Sequence, residues 1–159
     1  MIKSIGGNTK VISKSSSRIV KYLGRGGGLN PGVYRLIAAH SGKCFDVSGK
    51  SRNTGAKIHQ WDCHNGGNQK WRLSYNGREA VLINKLSNMA ASIEGSSKNN
   101  EVDFVQMPFT NGANQKFRIT FKKGGYELVN VNSGKCVDVF QQNKNNAARI
   151  IQVNNIIFN

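Results

Sequence analysis

Asn68-Gln69-Lys70-Trp71-Arg72 returns 46 positions later as Asn114-Gln115-Lys116-Phe117-Arg118. A match of this kind at a fixed offset points to an internal repeat, and a repeat constrains the fold before any single element does. The same offset carries Leu36-Ile37 onto Leu82-Ile83 and, applied again, onto Leu128-Val129. Two offsets carry Gly42-Lys43-Cys44-Phe45-Asp46-Val47 onto Gly134-Lys135-Cys136-Val137-Asp138-Val139. Gln60, Gln106 and Gln152 share one register, and no gap is needed anywhere. The body of the chain is therefore three copies of one unit, over residues 33–78, 79–124 and 125–159, with the third copy cut short at its C-terminal end.

Inside a unit the pattern is that of short strands. Val33-Tyr34-Arg35-Leu36-Ile37, Lys43-Cys44-Phe45-Asp46-Val47, Ala56-Lys57-Ile58-His59-Gln60-Trp61 and Gln69-Lys70-Trp71-Arg72-Leu73 each read as one strand. Ser48-Gly49 and Asn76-Gly77 supply the tight turns. Four strands per unit make about twelve in all, and an all-β barrel with hairpin caps closes them with few exposed edges. Three units are too few for a propeller, which needs at least about four blades.

Outward from the repeat, the composition is that of one globular domain of 159 residues, 38% hydrophobic and 19% charged. The formal charge is +15, from 23 basic and 8 acidic residues. Residues 1–31 form a basic, Ser/Gly-rich arm that carries Lys3, Lys10, Lys14, Arg18, Lys21 and Arg25 and no acid. The arm loosely resembles an organelle transit peptide; the plainer reading is a basic arm beside a folded domain at 32–159. No apolar run reaches the roughly 20 residues of a membrane span, and the N-terminus lacks the apolar core of a secretory signal. A cytoplasmic location, or export without such a signal, is the expectation.

The Gln-x-aromatic element that closes a unit, in Gln69-Lys70-Trp71 and Gln115-Lys116-Phe117, resembles that of the ricin B-chain-like lectins. The stretch from Gln60 through Trp61, Asp62, Cys63, His64, Asn65, Gly66, Gly67, Asn68, Gln69 and Lys70 to Trp71 is similar to the family 13 carbohydrate-binding modules. The resemblance covers about residues 32–155 and implies a β-trefoil in which each unit can hold one shallow sugar pocket. Carried onto the first unit, it makes Asp46 the hydroxyl acceptor, Trp61 the stacking ring, His64 the polar partner, Asn68 a further contact and Gln69 the amide that steadies the acid. The physics agrees. A pyranose has C–H faces that suit an indole, and hydroxyls that need fixed donors and acceptors. A charged acceptor makes the stronger bonds.

The other units depart from the pattern. In the second, Ser92, Met107 and Thr110 stand where the acid, the ring and the histidine would be, leaving Asn114 and Gln115. In the third, Asp138 survives with Gln141 near it, while Val153 and Ile156 replace the ring and the histidine. The second pocket is expected to be inactive and the third, at Asp138 and Gln141, to be a weak second site at most. The third unit also lacks an in-register closing strand. Ile156-Ile157-Phe158 could serve as a shortened one, the slightly favoured repair, or residues 17–23 could fold back as an added strand. The family often bridges the positions of Cys44 and Cys63; the alternative is two reduced thiols. Cys136 has no partner in register and reads as a small core residue. His59 and His64 lack the paired spacing of a closed zinc site, and no metal or cofactor is implied.

Enzyme motifs are missing. Gly24-Arg25-Gly26-Gly27-Gly28 has no Lys-Ser/Thr after it to make a phosphate loop. There is no Gly-x-Ser-x-Gly elbow, and no evident carboxylate pair for glycoside hydrolysis. The expectation is a non-catalytic lectin that binds glycans or glycoconjugates, taking a galactose-type or related pyranoside mainly through the first unit. Two alternatives stay open. One is an electrostatic binder of nucleic acid, sulfated glycan or anionic lipid through the basic surface. The other is a trefoil scaffold for a protein partner. Oligomeric state is not readable.

Overall fold

The computed structural model describes residues 2–4, 29–122 and 125–154. Among them lie twelve strands: β1 (Ile2–Ser4), β2 (Gly32–Leu36), β3 (Cys44–Val47), β4 (Ile58–Trp61), β5 (Trp71–Asn76), β6 (Glu79–Asn84), β7 (Ala90–Ile93), β8 (Val102–Met107), β9 (Phe117–Lys122), β10 (Gly125–Asn130), β11 (Cys136–Val139) and β12 (Ile150–Val153). The first and fourth strands of successive units pair in order, β2 with β5, β5 with β6, β6 with β9 and β9 with β10, and form the barrel wall. The second and third strands pair as hairpins, β3–β4, β7–β8 and β11–β12. This is the β-trefoil that the triple repeat implies. The barrel core is apolar, with Trp71 and Phe117 fully enclosed beside Leu36, Leu73, Leu82 and Leu128.

The strand boundaries shift from the sequence reading by one to three residues, and one shift bears on the site. The fourth strand begins at Trp71, and Gln69 lies in a single 3-10 turn, Gly67–Gln69. The turn swings the Gln69 amide inward, where it is fully buried. A buried amide needs partners, and the turn supplies them, as described below.

The seam of the barrel is also informative. In register, Leu82 faces Leu73 across β6–β5, and Leu128 faces Ile119 across β10–β9. Leu36, the same position in the first unit, faces Ile2 across β2–β1. β1 thus lies antiparallel to β2 where the third unit's closing strand would lie, and it covers an edge that would otherwise be unpaired. The two closures considered from the sequence, Ile156-Ile157-Phe158 and residues 17–23, fall outside the described residues.

The three hairpins interlock in a ring. The fully buried Gln106 donates Nε2 bonds to the carbonyls of Ser51 (3.0 Å) and Asn53 (2.8 Å) in the preceding unit. Gln152 does the same to Ser97 (2.9 Å) and Asn99 (2.7 Å). Gln60 closes the circle on Asn143 (2.7 Å) and Asn145 (2.8 Å). Each unit's third-strand glutamine therefore clamps its neighbour's loop, which is why the three share a register. Lys57, Asp103 and Arg149 share another. Asp103 lies between the two cations, 3.0 Å from Lys57 Nζ and 2.6 Å from Arg149 Nε. Burial opposes the Lys57 charge, but bonds to Glu94 and Asp103 outweigh it and raise its pKa above the usual lysine value.

Candidate functional site

Alternation along β4 decides what reaches the surface. Ile58 and Gln60 point inward, so His59 and Trp61 share the outer face. Their rings stack with centroids 5.5 Å apart and planes 23° apart. On β3, hydrogen-bonded to β4, Asp46 is opposite His59. The turn Ser48–Lys50 follows β3 directly, and the loop after β4 brings His64 and Asn68. Together these residues line a hollow of about 390 Å³.

Trp61 is 39% exposed and Asp46 only 4% exposed, so the ring stands at the wall and the carboxylate at the floor. Asp46 is well held. Its Oδ2 accepts from Gln69 Nε2 (2.7 Å) and Asn68 Nδ2 (2.9 Å), with His64 Nε2 at 3.4 Å. Its Oδ1 lies 3.1 Å from His59 Nε2. Gln69 in turn accepts from the His64 N–H (2.8 Å) and donates to the Asp62 carbonyl (3.0 Å). It thereby ties the acid to the loop that carries His64.

Asn68 lines the hollow and is 1% exposed; its Nδ2 also donates to the Val47 carbonyl (3.2 Å), while its Oδ1 is buried with no partner. A buried acceptor without a donor costs free energy unless a ligand or water supplies one. Gly66 makes room for this arrangement. A methyl group there would stand 2.6 Å from Asn68 Oδ1 and 2.7 Å from the His64 ring.

Cys44 and Cys63 are joined, with Cα atoms 5.1 Å apart. The bond pins the start of β3 to the loop beyond β4 and so fixes the frame around Trp61. Lys43 pairs with Asp62 on the same edge. The bonds from Lys43 and from Asn146 lower the Asp62 pKa below the usual carboxylate value. Among the described residues no group of three or more His, Cys, Asp or Glu is placed to hold a metal ion, and no helix is long and apolar enough to cross a membrane.

The structure thus brings Asp46, Trp61, His64 and Asn68 to one hollow, with Gln69 behind the acid. The sequence reading missed His59 and Lys50. His59 was legible in principle, because a residue two before Trp61 on a strand shares its face. Lys50 carried no sequence signal beyond its place after Ser48-Gly49.

In the second unit the frame persists without its chemistry. Gln115 Nε2 reaches Ser92 Oγ (3.1 Å) and Asn114 Nδ2 reaches the Ile93 carbonyl (3.2 Å). No acid or ring stands at the matching positions, where Ser92 and Met107 are found.

In the third unit Asp138 Oδ1 accepts from the Val139 N–H (2.8 Å), and Gln141 is exposed with φ 52°. Val153 holds the ring position and is half-buried, whereas Ile156 lies outside the described residues. Burial pushes the Asp138 pKa up to about 6, only partly countered by the Val139 bond. Since the folded value exceeds the unfolded one, the folded state holds the proton more tightly. Stability therefore falls as pH rises between about 4 and about 6. Asp138→Asn is expected to flatten that slope and to raise stability at pH 7 by on the order of 2 kcal/mol. Chemical denaturation at pH 4, 5, 6 and 7 would check it, and an unchanged slope would refute it.

The family model described as the ricin-type β-trefoil lectin domain matches residues 32–155. Among solved structures, the chain is similar to ThreeFoil, a designed threefold symmetric protein, at 33% identity and TM-score 0.75, covering 77% of this chain and 89% of that one. It is similar to an exo-β-1,3-galactanase from Clostridium thermocellum at 26% identity and TM-score 0.74, covering 86% of this chain and 29% of that one. The Rhizoctonia solani agglutinin shares the fold at 24% identity and TM-score 0.73, covering 82% of this chain and 90% of that one.

Proposed function

Since the chain belongs to the ricin-type β-trefoil lectin domain family, we propose that it binds a galactose-type or related pyranoside through the first unit and leaves it chemically unchanged. The observation that carries the reading is one hollow in which a half-exposed indole stands over a buried, multiply hydrogen-bonded carboxylate, beside an asparagine oxygen that lacks a donor. The indole offers an apolar plate to the C–H face of a ring. Asp46 offers a charged acceptor. The galactose-type default rests on the family, and the similar galactanase keeps galactosides first among the sugars to test.

Binding without catalysis is supported by the acids. Asp46 is the one carboxylate among the described residues that lines the hollow, and glycoside hydrolysis commonly needs two flanking the bond. One shallow site buries little area, so a Kd of roughly millimolar is expected for a monosaccharide. Titration with methyl galactoside, followed by tryptophan fluorescence and calorimetry, should show saturable binding. Trp61→Ala should weaken it by about ten-fold or more, without unfolding the barrel, because its side chain is at the surface. Unaltered affinity in that variant would remove the assigned site.

The basic surface keeps an electrostatic binder as a second reading, favoured by the +15 charge. A purely electrostatic partner would lose affinity steeply with salt and would not compete with free sugar. A neutral galactoside should show little salt dependence.

A further inference from the structure

We propose that the first-unit hollow selects sugars bearing an anionic group, a carboxylate or a sulfate ester, and that Lys50 makes the selection. The proposal rests on the pyranoside reading of that hollow. It concerns which pyranosides are preferred.

Lys50 lines the hollow and is exposed. Three lysines of the domain are in ion pairs, Lys43 with Asp62, Lys57 with Glu94 and Asp103, and Lys116 with Glu79, and of the others Lys50 is the one that lines the hollow. Lys50 has no ion pair and no side-chain hydrogen bond among the described residues. An unpaired ammonium at the mouth of a ligand hollow is a free anion acceptor.

Its placement is peculiar to this unit. Lys50 sits in the left-handed region at φ 52°, and so do Ser96 and Gln142 at the matching positions, each at φ 52°. All three units thus use the same turn with a residue other than glycine, at a conformational cost. The turn belongs to the frame, whereas the ammonium belongs only to the unit that also carries the acid, the indole and the two imidazoles. The coincidence of these groups in one hollow favours a ligand that uses them together.

The Asp46 charge does not argue against an anion. It lies at the floor, with four side chains directed at its two oxygens. The ammonium is at the exposed rim. A sugar that offers hydroxyls to the floor and an acidic substituent to the rim satisfies both ends. The overall charge of +15 draws such ligands in at long range. Lysine is a compact point charge without the fixed fork of arginine, so it accommodates a carboxylate or a sulfate.

The test is a titration of the wild-type protein, Lys50→Ala and Lys50→Glu with methyl galactoside, methyl galacturonide and galactose 6-sulfate, at low and moderate salt. The wild type should bind at least one charged sugar about five- to ten-fold more tightly than the neutral one at low salt, with the gap narrowing as salt rises. Which charged sugar gains identifies the substituent. Lys50→Ala should bring charged and neutral sugars level, and Lys50→Glu should invert the order. A preference that survives in Lys50→Ala overturns the proposal, as does a wild type that binds the neutral sugar equally well or better. Failure of the underlying pyranoside reading looks different: none of the three sugars binds, or Trp61→Ala leaves all three unchanged.

Discussion

Asp46→Ala is expected to abolish measurable sugar binding, a loss of at least about 100-fold, while costing only about 1–2 kcal/mol of stability. The two effects separate because of how the acid is held. Hydrogen bonds from Asn68 and Gln69 to a carboxylate would each be worth about 1.5–3 kcal/mol. Yet neither amide is orphaned when the acid goes. Asn68 still donates to the Val47 carbonyl, and Gln69 still donates to the Asp62 carbonyl. The protein is also relieved of a nearly buried charge, which offsets part of the loss. The ligand has no such alternative, because the charged acceptor at the floor is gone.

Asp46→Asn sharpens the distinction. Its amide oxygen can face Asn68 and Gln69, and its NH2 can face His59, whose ring nitrogen accepts in the other tautomer. That variant should fold as stably as the wild type within about 1 kcal/mol and still bind sugar roughly ten-fold or more weakly, from loss of the charge alone. Calorimetry and denaturant unfolding on both variants test this. Binding that persists in Asp46→Ala would place the sugar elsewhere.

The second large effect concerns the ring of glutamines. Gln152→Leu should destabilise the protein by about 2–4 kcal/mol, because it strips two buried donors from the carbonyls of Ser97 and Asn99. It also removes the nearer acceptor for the Ser133 hydroxyl, which lies 2.7 Å from Gln152 Oε1 and 3.4 Å from Asn130 Oδ1. Gln60 has the matching serine bond, from Ser41 at 2.8 Å. Gln106 does not: its Oε1 is buried without a partner, and Ser87, at the corresponding position, keeps only the bond from the Met89 N–H that Ser41 and Ser133 also accept, from Lys43 and Lys135. Gln106→Leu should therefore cost about 1 kcal/mol less than Gln152→Leu, since it also deletes an unsatisfied oxygen. Urea unfolding of the two variants would order them, and equal losses at 106 and 152 would contradict the serine argument. The Gln106 clamp holds Ser51 and Asn53, next in sequence to Lys50. Gln106→Leu should therefore also loosen the rim of the hollow, whereas Gln152→Leu should not.

The triple unit and the trefoil were both legible in the residues. A repeat without gaps forces three similar strand sets, and strand sets with one inward face must share a core, as Leu36, Leu82 and Leu128 do. The acid, ring, histidine and asparagine of the first unit were singled out by the family resemblance, and two adjacent strands and one loop bring them to one hollow. The pairing of Cys44 with Cys63 was legible only as a family habit, since spacing alone left two reduced thiols open.

Tertiary structure decided the rest, and each case has one cause: contacts between chain segments that no local pattern encodes. The β1–β2 pairing depends on a backbone ladder between a segment of the N-terminal arm and the first strand of the first unit, and any extended segment of suitable length can supply such a ladder. The place of His59 beside Trp61 follows from strand alternation, but its contact with Asp46 runs across strands. The unpaired state of Lys50 depends on where eight acids fall in space. It is therefore a property of the whole charge arrangement and of no motif.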